Sequence, residues 1–339
     1  MKNKIVGICI CMLLITTCVV PVMGELITLK KSSNDINQLP SKTTHLKFMI
    51  AGKAIRALHS YWIHVPPSYD GSKAVPLVIM FTGSTSFRLM YPFWFFRSSW
   101  IENYTEFSEK ADEEGFITVY PNPKLMLLDP PWEFYYNVGW YPVWRLKFID
   151  DVGFIRDLID KMEREYNINS SRIYVTGFSN GGYMSYSIGS YLSDIVAAIA
   201  PVAGAIGGRE SEDEPFYYIP TPTNPVSVIA FHGTNDLFVP YEGSSIDISV
   251  NESISFWVEH NSCNPTPESY TSESGKIIRR TYINGDNGTE VVLYTTVGGD
   301  HWWPGNRLPP SGNSWLIDTI QEISATDLIW EFFASHPKQ

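Results

Sequence analysis

Short apolar runs alternate along this chain with stretches whose apolar residues recur at helical spacing. Tyr61–Val65 reads as a strand and gives way to the turn Pro66-Pro67-Ser68-Tyr69-Asp70-Gly71. Leu77–Phe81 and Phe116–Tyr120 read as buried strands. Val152, Ile155, Ile159 and Met162 fall on one face of a helix over Val152–Tyr166. Arg172–Phe178 is then a strand and Gly181–Leu192 a helix. Ile195–Val202 and Val226–Phe231 are strands, Ser253–His260 is helical, Glu290–Val297 is a strand, and Asp318–Phe333 is a closing helix. Uninterrupted apolar strands alternating with helices predict an α/β chain with a mostly parallel sheet covered by helices on both faces. No internal repeat interrupts the alternation. Three stretches fit it poorly: the aromatic-rich Phe87–Trp100, the Pro- and Trp-rich Leu125–Lys147, and Gly204–Pro225, acidic at its centre and then proline-rich. Long irregular insertions in a domain of this kind are often functional.

The first 24 residues break the pattern differently. Lys2 and Lys4 precede an uncharged apolar run from Ile5 to Val20, closed by Pro21 and the small Gly24. This is the layout of an export signal cut after Gly24. A retained membrane anchor is the alternative, although the run falls short of the roughly 20 residues a spanning helix needs. Residues 25–43 are polar and without period, a linker, so that 44–339 is expected to form one catalytic domain. Cleavage removes Cys9, Cys11 and Cys18 and leaves Cys263 alone, which excludes an intrachain disulfide and a cysteine-based zinc site in the mature chain. It also removes Lys2 and Lys4, taking the formal net charge from −11 to −13. So acidic a protein is a poor partner for nucleic acid, and once the signal is gone for an anionic membrane. Asn-x-Ser/Thr sequons at Asn103, Asn169, Asn251 and Asn287 matter only in a host that glycosylates.

Chemistry enters where the Arg172–Phe178 strand runs into Gly177-Phe178-Ser179-Asn180-Gly181-Gly182 and then a helix. Gly-x-Ser-x-Gly in a strand–turn–helix context is a nucleophile elbow: the tight turn thrusts the serine outward, and the flanking glycines leave room for neighbouring backbone. The helix N-terminus behind the serine favours developing negative charge. Two further strand ends carry the other groups that acyl transfer needs. Asp236 lies in His232-Gly233-Thr234-Asn235-Asp236, just past one strand; His301 lies in Gly298-Gly299-Asp300-His301-Trp302-Trp303, just past another. The order Ser, Asp, His suits this fold, with Ser179 as nucleophile, His301 as base and Asp236 orienting the histidine. The neighbouring His232 is expected to pack at its strand end, and Asp300 to face away from the site.

Gly177-Phe178-Ser179-Asn180-Gly181-Gly182, His232-Gly233-Thr234-Asn235-Asp236 with Val239-Pro240-Tyr241, and Gly299-Asp300-His301 with Trp303-Pro304-Gly305 resemble the secreted polyhydroxybutyrate depolymerase / feruloyl esterase family of α/β-hydrolases. Asp150–Ile155 and Ala198–Gly204 resemble its segments flanking the elbow, so the likeness runs from about Tyr61 to Gly305. The resemblance implies an α/β-hydrolase fold and serine-dependent hydrolysis of carboxylic esters with no metal and no cofactor. The substrate would be a short-chain, hydroxyalkanoate or hydroxycinnamoyl ester, polymeric ones such as a polyester or an acylated polysaccharide included. One departure concerns the oxyanion hole. Where the family reads Leu-His-Gly after an early strand, this chain has Phe81-Thr82-Gly83-Ser84. Asn180 N–H is the expected first donor, and Ser84 or a neighbour the second. Trp94, Trp140, Trp302 and Trp303 are the candidates for substrate stacking, with Trp100 and Trp132 nearby in the same loops, and burial in the core is an equal alternative for such aromatics. Two other readings stand beside the esterase: a peptidase, against which the lack of a propeller or other gating domain argues, and a catalytically silent glycan- or polymer-binding homologue, against which the complete Ser-Asp-His set argues.

Overall fold

In a computed structural model, six strands line up in parallel and are buried on both faces along most of their length, as their largely apolar sequences predict. They are β3 (Val75–Phe81), β4 (Ile117–Pro121), β5 (Ile168–Phe178), β6 (Ala198–Val202), β7 (Ser227–Gly233) and β10 (Val291–Thr296). Antiparallel strands extend both edges: β1 (Thr44–Ala51) and β2 (Ala57–His64) on one side, β8 (Glu268–Thr271) and β9 (Ile277–Tyr282) on the other. The spatial order is β1-β2-β4-β3-β5-β6-β7-β10-β9-β8. Residues 44–51, 57–86, 97–126, 133–136, 138, 150–305 and 320–339 are described. The chain divides into Met1–Ser41 and Lys42–Gln339, and the architecture is that of the second unit. The expected signal and linker, residues 1–43, lie outside the described residues.

The strand pleat sends alternate residues to opposite faces. Leu77, Ile79 and Phe81 join Ile173 and Val175 in one buried cluster, while Val78, Met80 and Tyr174 join the other. Three helices cover the first face: α3 (Asp151–Glu165), α4 (Asn180–Tyr191) and α5 (Val250–His260). The second face is covered by α1 (Arg97–Thr105), α2 (Phe107–Glu114) and α6 (Ala325–Ser335). The expected parallel sheet with helices on both faces is therefore what forms.

Three expectations need correction. The aromatic stretch Phe87–Trp100 is not wholly irregular, since α1 begins at Arg97. Within Leu125–Lys147, Lys124–Met126 and Glu133–Tyr135 pair in a small antiparallel ladder with Thr85–Ser86. The closing helix starts at Ala325, not Asp318: Gln321 has a left-handed φ of 52°, and Ser324 accepts the Asp327 amide at 3.2 Å as N-cap.

Candidate active site

Every candidate catalytic group sits just past the C-terminal end of a parallel strand, the side on which open α/β sheets gather their chemistry. Ser179 stands between β5 and α4 at φ 57° and ψ −118°. Such a conformation costs about 1–3 kcal/mol and persists only where neighbours over-determine it. Here the Ser179 amide donates to Val202 O at 2.9 Å, and Ser179 O accepts from the amides of Gly182 (2.7 Å) and Tyr183 (3.1 Å). The two elbow glycines are required by close backbone approach. A β carbon on Gly177 would lie 2.4 Å from Gly181 O, and one on Gly181 would lie 2.4 Å from Phe81 O. Strand β3, strand β5 and helix α4 thus touch through bare backbone. Ser179 itself is half-buried.

The acid and base loops are laced together. Thr234 N donates to Thr296 O at 3.0 Å, Asn235 N to Gly299 O at 2.8 Å, and Gly298 N to Thr234 Oγ1 at 2.8 Å. Asp236 Oδ2 lies 2.7 Å from His301 Nδ1. Its other oxygen, Oδ1, accepts the amides of Phe238 and Val239, each at 2.9 Å. Burial pushes the Asp236 carboxyl up, but the hydrogen bonds from His232 and His301 and the charge of those imidazoles outweigh it and hold the group well below the usual carboxylate range. An ionised carboxylate only accepts, so the proton of a neutral His301 sits on Nδ1 and leaves Nε2 with a free lone pair. The His301 ring lies 4.9 Å from Phe178, the residue before Ser179, and 5.1 Å from Phe238.

His232 does more than pack at a strand end. Its Nε2 reaches Val239 O at 2.8 Å and Asp236 Oδ2 at 3.3 Å, so that Asp236 carries a histidine on each side. The buried Asp247 accepts the Tyr183 hydroxyl at 2.8 Å; burial raises its carboxyl pKa, and the charge of Asp236 adds to the rise.

The loop after β3 brings Gly83 against the nucleophile: a β carbon on Gly83 would come 3.3 Å from Ser179 Cβ, one residue before the expected Ser84. Tyr136 ties this loop to the start of α4. Its amide donates to Asn180 Oδ1 at 2.8 Å, its hydroxyl accepts from Thr82 N at 3.4 Å and donates to Pro121 O at 2.7 Å, and its ring meets Phe81 edge-on at 5.0 Å. No feature of the aromatic loop's composition separates Tyr136 from its neighbours, and His232 carried only its place beside the acid loop.

The tryptophan expectations fare differently. Trp303 is 1% exposed, its amide donating to the Tyr104 hydroxyl and its indole Nε1 to Thr326 Oγ1, both at 3.0 Å, with Phe107 edge-on at 6.2 Å. It is part of the core under α1, α2 and α6 and offers no ring face to a ligand. Trp302 is buried as well. Trp94 and Trp140, like Trp132, lie outside the described residues. Among the described residues no group of three or more His, Cys, Asp or Glu side chains is arranged to hold a metal ion, and no helix is long and apolar enough to cross a membrane.

The chain matches no family model. It is 28% identical over 254 residues to feruloyl esterase B of Piromyces equi, a match covering 70% of this chain and 42% of that protein. It is 29% identical over 140 residues to the bifunctional acetylxylan esterase/xylanase of Neocallimastix patriciarum, covering 41% of this chain and 17% of that one. The chain thus spans less than half the length of either relative. Among solved structures, the acetyl xylan esterase from Aspergillus awamori superposes with a TM-score of 0.54 at 12% identity, over 86% of this chain and 99% of that one. At that identity the likeness is one of fold.

Proposed function

We propose that this chain, a feruloyl esterase-like α/β-hydrolase, is an exported serine esterase that cleaves carboxylic esters through an acyl-enzyme, with hydroxycinnamoyl or acetyl groups on polysaccharide as its substrate class. The observation that carries the reading is the 2.7 Å bond between His301 Nδ1 and the ionised Asp236, on loops laced at the same sheet end as the strained Ser179. Ser179 Oγ attacks the ester carbonyl while His301 Nε2 takes its proton. The tetrahedral oxyanion is met by the Asn180 amide and an amide of Gly83 or Ser84, with Tyr136 tying the two segments together through Asn180 Oδ1 and the Thr82 amide. His301 then returns the proton to the leaving alcohol, and water repeats the sequence on the acyl-enzyme. No step draws on a metal or cofactor. The two relatives, a feruloyl esterase and an acetylxylan esterase/xylanase, support the substrate class, and the charge and hydropathy pattern of residues 1–24 supports export.

The test is a fluorophosphonate probe followed by peptide mapping. The label is expected on Ser179 alone, and Ser179→Ala is expected to lower ester turnover by ~10⁴-fold or more with folding retained. Near wild-type turnover in that variant, or a label on another residue, would remove the assignment.

A further inference from the structure

We infer that Leu237 and Phe238 form the wall against which the leaving alcohol is held, and that this wall receives the C–H face of a neutral sugar ring; the inference rests on the esterase reading of the same site. Asp236 takes two bonds from this segment, and both come from backbone amides, those of Phe238 and Val239. Any residue at 237 and any but proline at 238 would leave those amides in place. The residues present are nevertheless a leucine 89% exposed and a phenylalanine 64% exposed, side by side in water next to a buried carboxylate. Large apolar side chains exposed in tandem beside a candidate active site are the signature of a contact surface, not of a packing requirement.

Geometry says which part of the substrate they meet. The Phe238 ring lies 5.1 Å from the His301 ring at 45°, and on its other flank the imidazole has the buried Phe178 at 4.9 Å. His301 is the group that must hand a proton to the departing oxygen, so the alcohol leaves past this imidazole. The carbonyl oxygen is directed elsewhere, to the Gly83 loop and the start of α4, where Gly83 abuts Ser179. An exposed ring in contact with the imidazole therefore flanks the alcohol, not the oxyanion. The backbone beneath the ring is fixed by the bonds to Asp236, so the surface is pre-organised.

Chemistry narrows the alcohol. An uncharged, largely exposed aromatic side chain beside a branched aliphatic suits a ring that is apolar on one face and hydrogen-bonded to water around its rim, as a pyranose or furanose is. A chain of net charge −11 disfavours an anionic alcohol.

The experiment compares esters that share an acyl group and differ in the alcohol: methyl ferulate against a feruloylated arabinose, and ethyl acetate against an acetylated xylo-oligosaccharide. For each pair the ratio of kcat/KM, sugar ester over alkyl ester, is measured in wild type, Phe238→Ala, Phe238→Tyr and Leu237→Ala. Phe238→Ala is expected to lower the ratio by about ten-fold, Leu237→Ala by about three-fold, and Phe238→Tyr to restore it. An equal loss on both members of a pair would show that Phe238 acts by holding His301, and an unchanged ratio would show that the alcohol lies elsewhere; either result overturns the inference while leaving the esterase standing. Absence of turnover of all four esters by the wild-type protein would instead bring down the esterase reading, and the inference with it.

Discussion

Replacing His232 by alanine tests whether Asp236 is held from two sides. A backbone carbonyl and an ionised carboxylate both only accept hydrogen bonds, so the Nε2 that lies 2.8 Å from Val239 O and 3.3 Å from Asp236 Oδ2 must carry a proton shared between them. The substitution strips that donor from two acceptors in a region where His232 is 4% and Asp236 3% exposed. A buried acceptor left without a partner costs about 1–3 kcal/mol, and the space vacated by the imidazole adds to it, so a loss of about 3 kcal/mol is expected in urea unfolding. The kinetic loss should be smaller than for a member of the proposed triad, because Asp236 keeps its two amide donors and His301. A fall in kcat/KM of ~10–100-fold is expected, against ~10⁴ for Ser179→Ala. Stability against pH supplies a third readout. A carboxyl depressed on folding contributes stability that is complete above its unfolded pKa, about 3.9, and is lost as pH falls through its folded value. Asp236 is such a group, and His232 is one of the two hydrogen-bond donors that depress it. In His232→Ala the folded pKa rises toward the unfolded one, so the acid-side loss of stability below about pH 4 becomes shallower. A variant within about 0.5 kcal/mol of wild type, with the same acid slope and the same kcat/KM, would show that the imidazole does nothing for Asp236.

Other parts of the structure give sharper yes-or-no outcomes. Gly181→Ala places a β carbon 2.4 Å from Phe81 O, so strand or helix must shift; an activity loss of ~10²-fold or more, or insoluble protein, is expected, and wild-type fluorophosphonate labelling would contradict the elbow packing. Trp303→Ala should cost about 3–5 kcal/mol of stability without altering acyl preference, and retained stability with altered preference would return Trp303 to the substrate. The Cys263 thiol is pushed up to about 11 by burial and by the charges of Glu290 and Asp286, so mapped modification by a thiol reagent at pH 8 should appear at Cys263 only after unfolding; rapid modification of the native protein would refute its burial.

The central sheet was legible because its strands are buried on both faces. Leu77–Phe81 reads as a continuous apolar run, and within Arg172–Phe178 the Ile173–Val175 core is buried and apolar. The edges were not legible for the converse reason. Strand β8, Glu-Ser-Tyr-Thr, is exposed throughout, and its place in the sheet comes from pairing with β9 rather than from any alternation of its own. Helix α1, Arg-Ser-Ser-Trp-Ile-Glu-Asn-Tyr-Thr, hides its helical face in the same way, since Glu102 and Thr105 are buried alongside Ile101 and Tyr104. The start of α6 was misplaced because the apolar residues ahead of it extend the helical spacing, whereas the Ser324 cap sets where the helix begins.

For the candidate site the division follows how a residue's role is imposed. The Ser179 turn constrains its own sequence, since a β carbon on Gly177 or Gly181 would come 2.4 Å from a backbone oxygen, and such a constraint is visible in one chain. Asp236 and His301 were marked by falling just after strands, and the structure brings them to 2.7 Å. Residues whose roles arise from tertiary adjacency carry no such mark. Tyr136 matters through Asn180, Thr82 and Pro121, three partners scattered along the chain. The tryptophans beside His301 show how sequence proximity misleads. Trp303 sends its indole away into the core to meet Thr326, while the aromatics that lie against the imidazole are Phe178 and Phe238, from other segments, of which Phe238 is the exposed one. Hydrophobicity alone predicts Trp303 and Phe238 alike to be buried. What separates them is where their backbones are committed. The Trp303 amide goes to the Tyr104 hydroxyl beneath the helices, whereas the Phe238 amide goes to Asp236 at the rim and leaves its side chain 64% exposed. Aromatic content near the base therefore pointed to a core residue, and the surface-exposed ring beside the imidazole is set by how the backbone of the acid loop is bonded.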